Sequence, residues 1–176
     1  MSGAAVGKLS VLTAVSPGRT TMLQKTLDSL AKGDDSPLAA VGGVHFARLQ
    51  VIPYLESPDG DPVSQTSYLL YGSWFDGEVA DHIDALCDHM GQEADAIWRH
   101  CDGYPGAASA TEFRRYMLDH SIEPGYPFDG YAAKVDEIGE CLALRSELGK
   151  FAVEARDLDD RALRRRWGER FPRGFE

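Results

Sequence analysis

The sequence is poor in cysteine and has no long hydrophobic run. Its three cysteines, Cys87, Cys101 and Cys141, form no C-x-x-C spacing, which argues against both a disulfide framework and a zinc site. The apolar runs are only a few residues long, so no segment is expected to span a membrane. Residues 1–8 lack the basic stretch and apolar core of a secretory signal, and we therefore expect a cytoplasmic protein.

Basic residues are also scarce, and they are unevenly placed. The chain has 28 acidic and 18 basic side chains and a formal charge of −10, which argues against nucleic acid as a partner. Residues 51–100 hold ten acids and a single base, Arg99, whereas arginines concentrate in residues 161–173. An arginine-rich end can bind an acidic partner, but we favour the solvated face of a last helix.

What the sequence does contain is regular periodicity over 176 residues, 43% of them hydrophobic. A chain of this size can bury one sizeable core. Alternating or continuous apolar stretches predict strands at 8–15, 44–52, 67–75 and, weakly, 125–131. Apolar residues at helical spacing predict helices at about 19–32, 78–101 and 109–119, with two more after residue 132. Ser109 and Glu112 have the spacing of a capping box for the third helix, and Asp159 or Asp160 can cap the last. Cys101 belongs to the apolar stripe of the long helix and is expected in the core.

The order of these elements predicts an α+β fold, the ferredoxin-like βαββαβ plait with extra C-terminal helices. The plait covers residues 1–131, and residues 132–176 are expected to form a helical extension packed on the same domain. Both helices of such a plait cover one face of the sheet. Because the other face is also apolar in the second and third strands, we expect a homodimer in which this face packs on a partner subunit.

Four short motifs lie at the ends of these elements: residues 16–18 (SPG), 44–48 (VHFAR), 75–77 (FDG) and 101–105 (CDGYP). Together with the topology of residues 8–131, they resemble a bacterial group, without a settled activity, of the dimeric α+β-barrel superfamily. The resemblance implies that two ferredoxin-like sheets pack face to face and enclose pockets. That superfamily includes polyketide cyclases, cofactor-free monooxygenases and haem enzymes, so the fold implies a pocket and not one reaction.

His45 is the first candidate for chemistry. Strict alternation places it on the strand face that carries Ala47, Leu49 and Val51. An imidazole in an apolar cavity is suited to proton transfer or to ligating haem iron. A core histidine that donates to a backbone carbonyl is the alternative.

Arg48 and Asp76 are the charged candidates near it. Arg48 alternates onto the opposite face, where we favour a structural ion pair with Asp76 or a helix carboxylate over anion binding. Asp76 and Gly77 are expected to form the turn and the N-cap of the long helix. In an enzyme, Arg48 or Asp76 would orient or polarise the substrate.

Three aromatic residues are candidate walls of a pocket: Tyr71 and Trp74 in the third strand, and Tyr104 after the long helix. Ordinary core or dimer-interface packing is the alternative. Two histidines of the long helix, His82 and His89, lie about 10.5 Å apart along its axis, too far for one metal ion. We expect both of them on a solvated acidic face.

The leading hypothesis is a dimeric α+β-barrel enzyme that acts by proton transfer on a hydrophobic, aromatic or polyketide-like small molecule. Cyclisation, dehydration or cofactor-free oxidation would fit, with His45 as general acid or base and no cofactor. Phosphate-loop, dinucleotide and serine-hydrolase motifs are absent. Two alternatives stay open: a haem protein with His45 as axial ligand, and a non-catalytic binding or assembly partner.

Overall fold

The computed structural model describes residues 6–56, 59, 62–64, 66–123 and 133–172. They divide into two compact units, Met1–Val135 and Asp136–Glu176. The strands are β1 (Val6–Ala14), β2 (Val44–Ile52), β3 (Leu55–Glu56), β4 (Pro62–Ser64) and β5 (Tyr68–Asp76). The helices are α1 (Thr20–Ser29), α2 (Val79–Trp98), α3 (Ala110–Asp119), α4 (Val135–Glu154) and α5 (Asp160–Arg170). The predicted α+β class is confirmed.

The main sheet has three antiparallel strands in the order β1–β5–β2. These are the three strands that alternation predicted most clearly. On the side of β1 away from β5, Ser121 forms an antiparallel bridge with Val11, and the Ile122 N–H donates to the Ser10 carbonyl at 2.8 Å. The predicted fourth strand, 125–131, lies outside the described residues.

One face of the sheet lies against the helices and forms the core. Alternate residues of β1 and β5 are buried there because successive strand side chains point to opposite faces. The sheet contributes Leu9, Val11, Thr13, Leu69, Tyr71, Ser73 and Phe75, and the helices contribute Leu23, Ile83, Leu86, Met90, Ala94, Ile97, Trp98, Phe113 and Met117. The apolar stripe that predicted the long helix is therefore its buried side.

The opposite face, here called the outer face, carries the remaining alternate residues of the three strands. Its members are Val6, Lys8, Ser10, Leu12, Ala14, Phe46, Arg48, Gln50, Ile52, Tyr68, Leu70, Gly72, Trp74 and Asp76. None of them belongs to the core cluster of buried residues. Phe46 is 51% exposed, and it meets the Trp74 ring edge-on with ring centroids 5.7 Å apart. The outer face is thus largely apolar.

Helices α2 and α3 pack against each other through core side chains and one ion pair. Ser109 begins α3 by accepting the Glu112 N–H on its hydroxyl, which confirms one of the two bonds of the predicted capping box. Arg114 of α3 forms a two-bond ion pair with Asp84 of α2. This pair is part-exposed, so we expect it to contribute at most about 1 kcal/mol.

The second unit is a pair of helices, α4 and α5, with little buried surface of its own. Asp159 caps α5 by accepting the Ala162 N–H, as predicted. The aromatic rings of Phe151, Trp167 and Phe171 form a cluster, and Phe151 is the buried member. Packing of this extension on the first domain stays a prediction.

Two further expectations concern cysteine and membranes. All three cysteines are free, and Cys101 lies in the core as predicted. Within the described ranges, none of the helices combines the length and apolar character that crossing a membrane requires.

A matched pair of leucines tests the core assignment. Leu86 on α2 is 1% exposed and Leu118 on α3 is 43% exposed. We expect Leu86→Ala to lower the free energy of unfolding by about 2–5 kcal/mol because it leaves a cavity. Leu118→Ala should cost less than about 1 kcal/mol. Urea denaturation of both variants measures the difference, and equal losses would contradict the assignment.

Candidate functional site

A β-bulge in β2 determines where His45 points. Val44 pairs with Phe75, but Phe46 pairs with Trp74, so the register shifts by one residue between them. His45 is the extra residue, and it breaks the alternation. Strict alternation predicted that His45 shares a face with Ala47, which packs on the core. That prediction was wrong, because the bulge turns His45 away from this face.

His45 is instead joined to Asp76 at the end of β5. The two atoms His45 Nε2 and Asp76 Oδ1 are 3.0 Å apart, and the side chains are 17% and 20% exposed. Asp76 follows Trp74 by two residues, which places it on the same side of β5 as the outer face. The pair thus lies at the rim of the outer face, partly shielded from water.

Asp76 is itself held in place on both sides. Its second oxygen, Oδ2, accepts the backbone N–H of Val135 at 2.9 Å, and its own N–H donates to the Gly43 carbonyl. Gly43 has a φ of +72°, and a Cβ there would lie 3.4 Å from the Asp76 Cβ. The positive φ favours glycine at this position. The expected N-cap of α2 at Asp76 and Gly77 was wrong, because Glu78 occupies that position.

Arg48 and Trp74 lie on the same face as the pair. A Cβ added to Gly72 would lie 3.8 Å from the Arg48 Cγ and 3.9 Å from its Nε, so Arg48 crosses β5 above this glycine. The expected ion pair between Arg48 and Asp76 is not formed, since Asp76 contacts His45 and Val135. Within the described ranges, Arg48 has no carboxylate partner.

Tyr71 is placed elsewhere, in the core. It is fully buried, and its hydroxyl is 3.0 Å from the Nε2 of His82. The His82 ring stacks on Phe75 with ring centroids 3.8 Å apart. His82 is only 5% exposed, so the expectation that it lies on a solvated face was wrong. Burial lowers the pKa of His82 to about 4 and raises the pKa of Tyr71.

Tyr104 lies at the other end of the sheet. Its hydroxyl donates to Asp95 at 2.8 Å, and burial, followed by this hydrogen bond, raises its pKa. It lines a cleft of about 460 Å³ that also includes Ser16 and Asp102. The Ser16 hydroxyl donates to the Asp102 carboxylate, so the SPG and CDGYP motifs meet here.

The His45–Asp76 pair and the cleft at Tyr104 lie at opposite ends of β5. The Val15 N–H donates to the Ser67 carbonyl at the Tyr104 end, whereas Asp76 ends β5 at the other. Nine residues of extended chain span about 30 Å. Of the six predicted site residues, four lie on or beside the outer face: His45, Arg48, Trp74 and Asp76. Phe46 joins them, and sequence reasoning had not singled it out.

His45 is the candidate ligand for a metal ion or for haem. In the described part of the chain, no group of three or more His, Cys, Asp or Glu side chains could hold a metal ion. Metal-ligating histidines commonly bind through one ring nitrogen while the other donates to a carboxylate. Here Nε2 of His45 is bonded to Asp76, so Nδ1 is the nitrogen left to bind a metal. Because Nδ1 is next to the histidine's own Cβ, a flat macrocycle would meet the β2 backbone, and the fit to haem is poor.

Comparison with protein families, with curated proteins and with solved structures finds no match to this chain. The site is therefore interpreted from its own geometry.

Titration of His82 is expected to link stability to pH. An unfolded histidine titrates near pH 6.5 and the folded His82 near 4. The stability that neutral His82 contributes is complete above pH 6.5 and is lost as the pH falls from 6.5 to 4, by about 3 kcal/mol in total. Urea denaturation across this range measures it.

The control is the exposed His89 of the same helix. His82→Gln should flatten the pH dependence between 4 and 6.5, whereas His89→Gln should leave it as in the wild type. Parallel curves for all three proteins would contradict the assignment.

Proposed function

We propose that this protein is an enzyme that acts by proton transfer on a hydrophobic, aromatic or polyketide-like small molecule bound at the outer face. The observation that carries this proposal is the 3.0 Å hydrogen bond between His45 and Asp76. It lies at the rim of an apolar sheet face and beside aromatic side chains. An imidazole oriented by a carboxylate is a common arrangement for general acid–base catalysis.

Each member of the pair has a defined part. His45 donates its Nε2 proton to Asp76, so Nδ1 is the nitrogen that accepts a substrate proton. The Asp76 carboxylate stabilises the imidazolium that forms, and the Val135 N–H keeps the carboxylate in position. Proton transfer of this kind contributes about 10²–10⁴-fold to a rate. Cyclisation, dehydration and cofactor-free oxidation all begin with such a step.

Enclosure of the site would come from a second copy of the chain. Proton transfer is favoured when water is excluded, and Phe46 is half-exposed in the single chain. We infer a ferredoxin-like plait whose outer face packs on the same face of its partner, forming a dimeric barrel. The antiparallel bridge of Ser121 to Val11 supports this topology, since it lies where a fourth strand would pair with β1.

Substitution of the pair distinguishes an enzyme from a non-catalytic protein. For an enzyme, we expect His45→Gln and Asp76→Asn to keep the melting temperature within a few degrees because both residues are at a rim. Each should slow solvent-deuterium incorporation into aromatic ketone or polyketide-like substrates, His45→Gln by about 10²–10⁴-fold. Mass spectrometry measures the incorporation.

His89→Gln is the matched control, because it removes an exposed imidazole outside this site. The ¹⁵N shifts of His45 provide a readout that does not depend on the substrate. They should show the Nε2-protonated tautomer in the wild type and a change in Asp76→Asn. Large destabilisation of His45→Gln without any loss of exchange would favour a binding or assembly protein.

Dimer formation is tested by a charge at the outer face. Phe46→Glu should convert the dimer to a monomer, since it buries a carboxylate in an apolar interface. Met22→Glu is the control because Met22 is 50% exposed, as Phe46 is 51%, but lies on α1. Sedimentation velocity at micromolar concentration should give a dimer for the wild type and Met22→Glu. A wild-type mass near 19.3 kDa would contradict the dimer.

A further inference from the structure

The outer face carries an exposed cation, Arg48, although the chain as a whole is acidic. The chain carries a formal charge of −10. Among the described residues of the outer face, the charged ones are Lys8, Arg48 and Asp76. The carboxylate of Asp76 is already bonded to His45 and to the Val135 N–H. Within the described ranges, Arg48 is therefore a cation without a carboxylate partner on a largely apolar face.

Arg48 occupies the middle of this face. It lies in the centre of β2 and pairs with Gly72 across the sheet. The absence of a side chain at Gly72 leaves the space that the Arg48 stem crosses, 3.8 Å from the Cβ position. A longer side chain at 72 would take the space of the guanidinium. The sheet thus accommodates this cation between the flanking Leu70 and Trp74.

In a two-fold dimer, the Arg48 side chains of both copies would lie in the same interface. In a two-fold dimer each outer face meets a second outer face of the same composition. Among the described residues, the partner therefore brings another Arg48, while the carboxylate it brings, Asp76, is bonded to its own His45. Covering an unpaired guanidinium in an apolar interface is strongly unfavourable. An anion has to enter with it.

We propose, building on the proton-transfer function above, that the substrate is a small aromatic or aliphatic acid whose carboxylate is bound by Arg48. The planar guanidinium binds one carboxylate through two parallel hydrogen bonds and neutralises its single charge. Trp74 and Phe46 provide the apolar surface for the rest of the molecule. The His45–Asp76 pair lies at the rim of the same face and reaches the reacting end.

Two probes of the same shape test the proposal. The full-length protein is titrated with 2-naphthoate and with 2-naphthalenemethanol by calorimetry at fixed ionic strength. We expect the wild type to bind the acid about 10–100-fold more tightly than the alcohol, as a charge-assisted hydrogen-bond pair implies. Naphthoate should also shift the Trp74 indole N–H resonance and leave that of Trp167 unchanged.

The matched variants are Arg48→Gln and Arg115→Gln. Arg115 is an exposed arginine of α3, so its substitution changes the net charge equally. Arg48→Gln should reduce the preference for the acid to less than about threefold, and Arg115→Gln should preserve it. Equal affinity of the wild type for both probes overturns the proposal. So does equal weakening by both variants, or failure of naphthoate to bind at millimolar concentration.

Failure of the proton-transfer function gives a different pattern. His45→Gln should leave the affinity for naphthoate within about twofold because His45 does not hold the carboxylate. Binding that depends on Arg48, with exchange that does not depend on His45, would retain the carboxylate site and remove the enzyme. Exchange that depends on His45, with no preference for the acid, would retain the enzyme and remove the carboxylate site.

Discussion

The single extra residue in β2 is the constraint on which the site depends. A strand without it would continue its alternation and send His45 toward the helices with Ala47. Because two residues, His45 and Phe46, stand against Trp74, Val44 still packs on the core while the imidazole reaches Asp76. The bulge therefore allows one strand to serve a packed core and a polar pair at the same end.

The site also shows how local and overall charge can differ in one protein. A net charge of −10 repels anions at long range, but that effect is screened beyond about 10 Å in 0.1 M salt. Close contact is governed by the groups on the face itself. Arg48 is exposed in the single chain, and its guanidinium would interact more strongly than in water once a second copy covered it. The proposed site would then favour ligands that combine an apolar body with one negative group.

Sequence periodicity predicted the parts that depend on local patterns. The stripe of α2, the caps of α3 and α5 and the three strands of the main sheet were all recognisable, since helical spacing and alternation are properties of neighbouring residues. The bulge could not be predicted from the sequence, because no residue type among Val44, His45 and Phe46 indicates a register shift. The pairing of His45 with Asp76 joins positions 31 residues apart and requires the sheet order.

His82 was misassigned for a different reason, and its signal was present. It lies three residues after Val79 and four before Leu86, so it borders the apolar stripe of α2. The acidic residues around it favour the opposite interpretation, a solvated face. The hypothesis of a single pocket places Tyr104 and Tyr71 with His45. Strand length separates Tyr104 from that site, and alternation directs Tyr71 to the core.

The bulge has a consequence beyond the direction of one side chain. In the described sheet β2 has β5 on one side only, so its other side presents backbone N–H and C=O groups with which a foreign strand could pair. Continuous, flat edges of this kind are where chains join edge to edge into aggregates. The irregular step at His45 interrupts that row of groups near the start of the strand, and it twists the edge locally. The bulge that orients the imidazole thus also protects this edge of the sheet from uncontrolled extension.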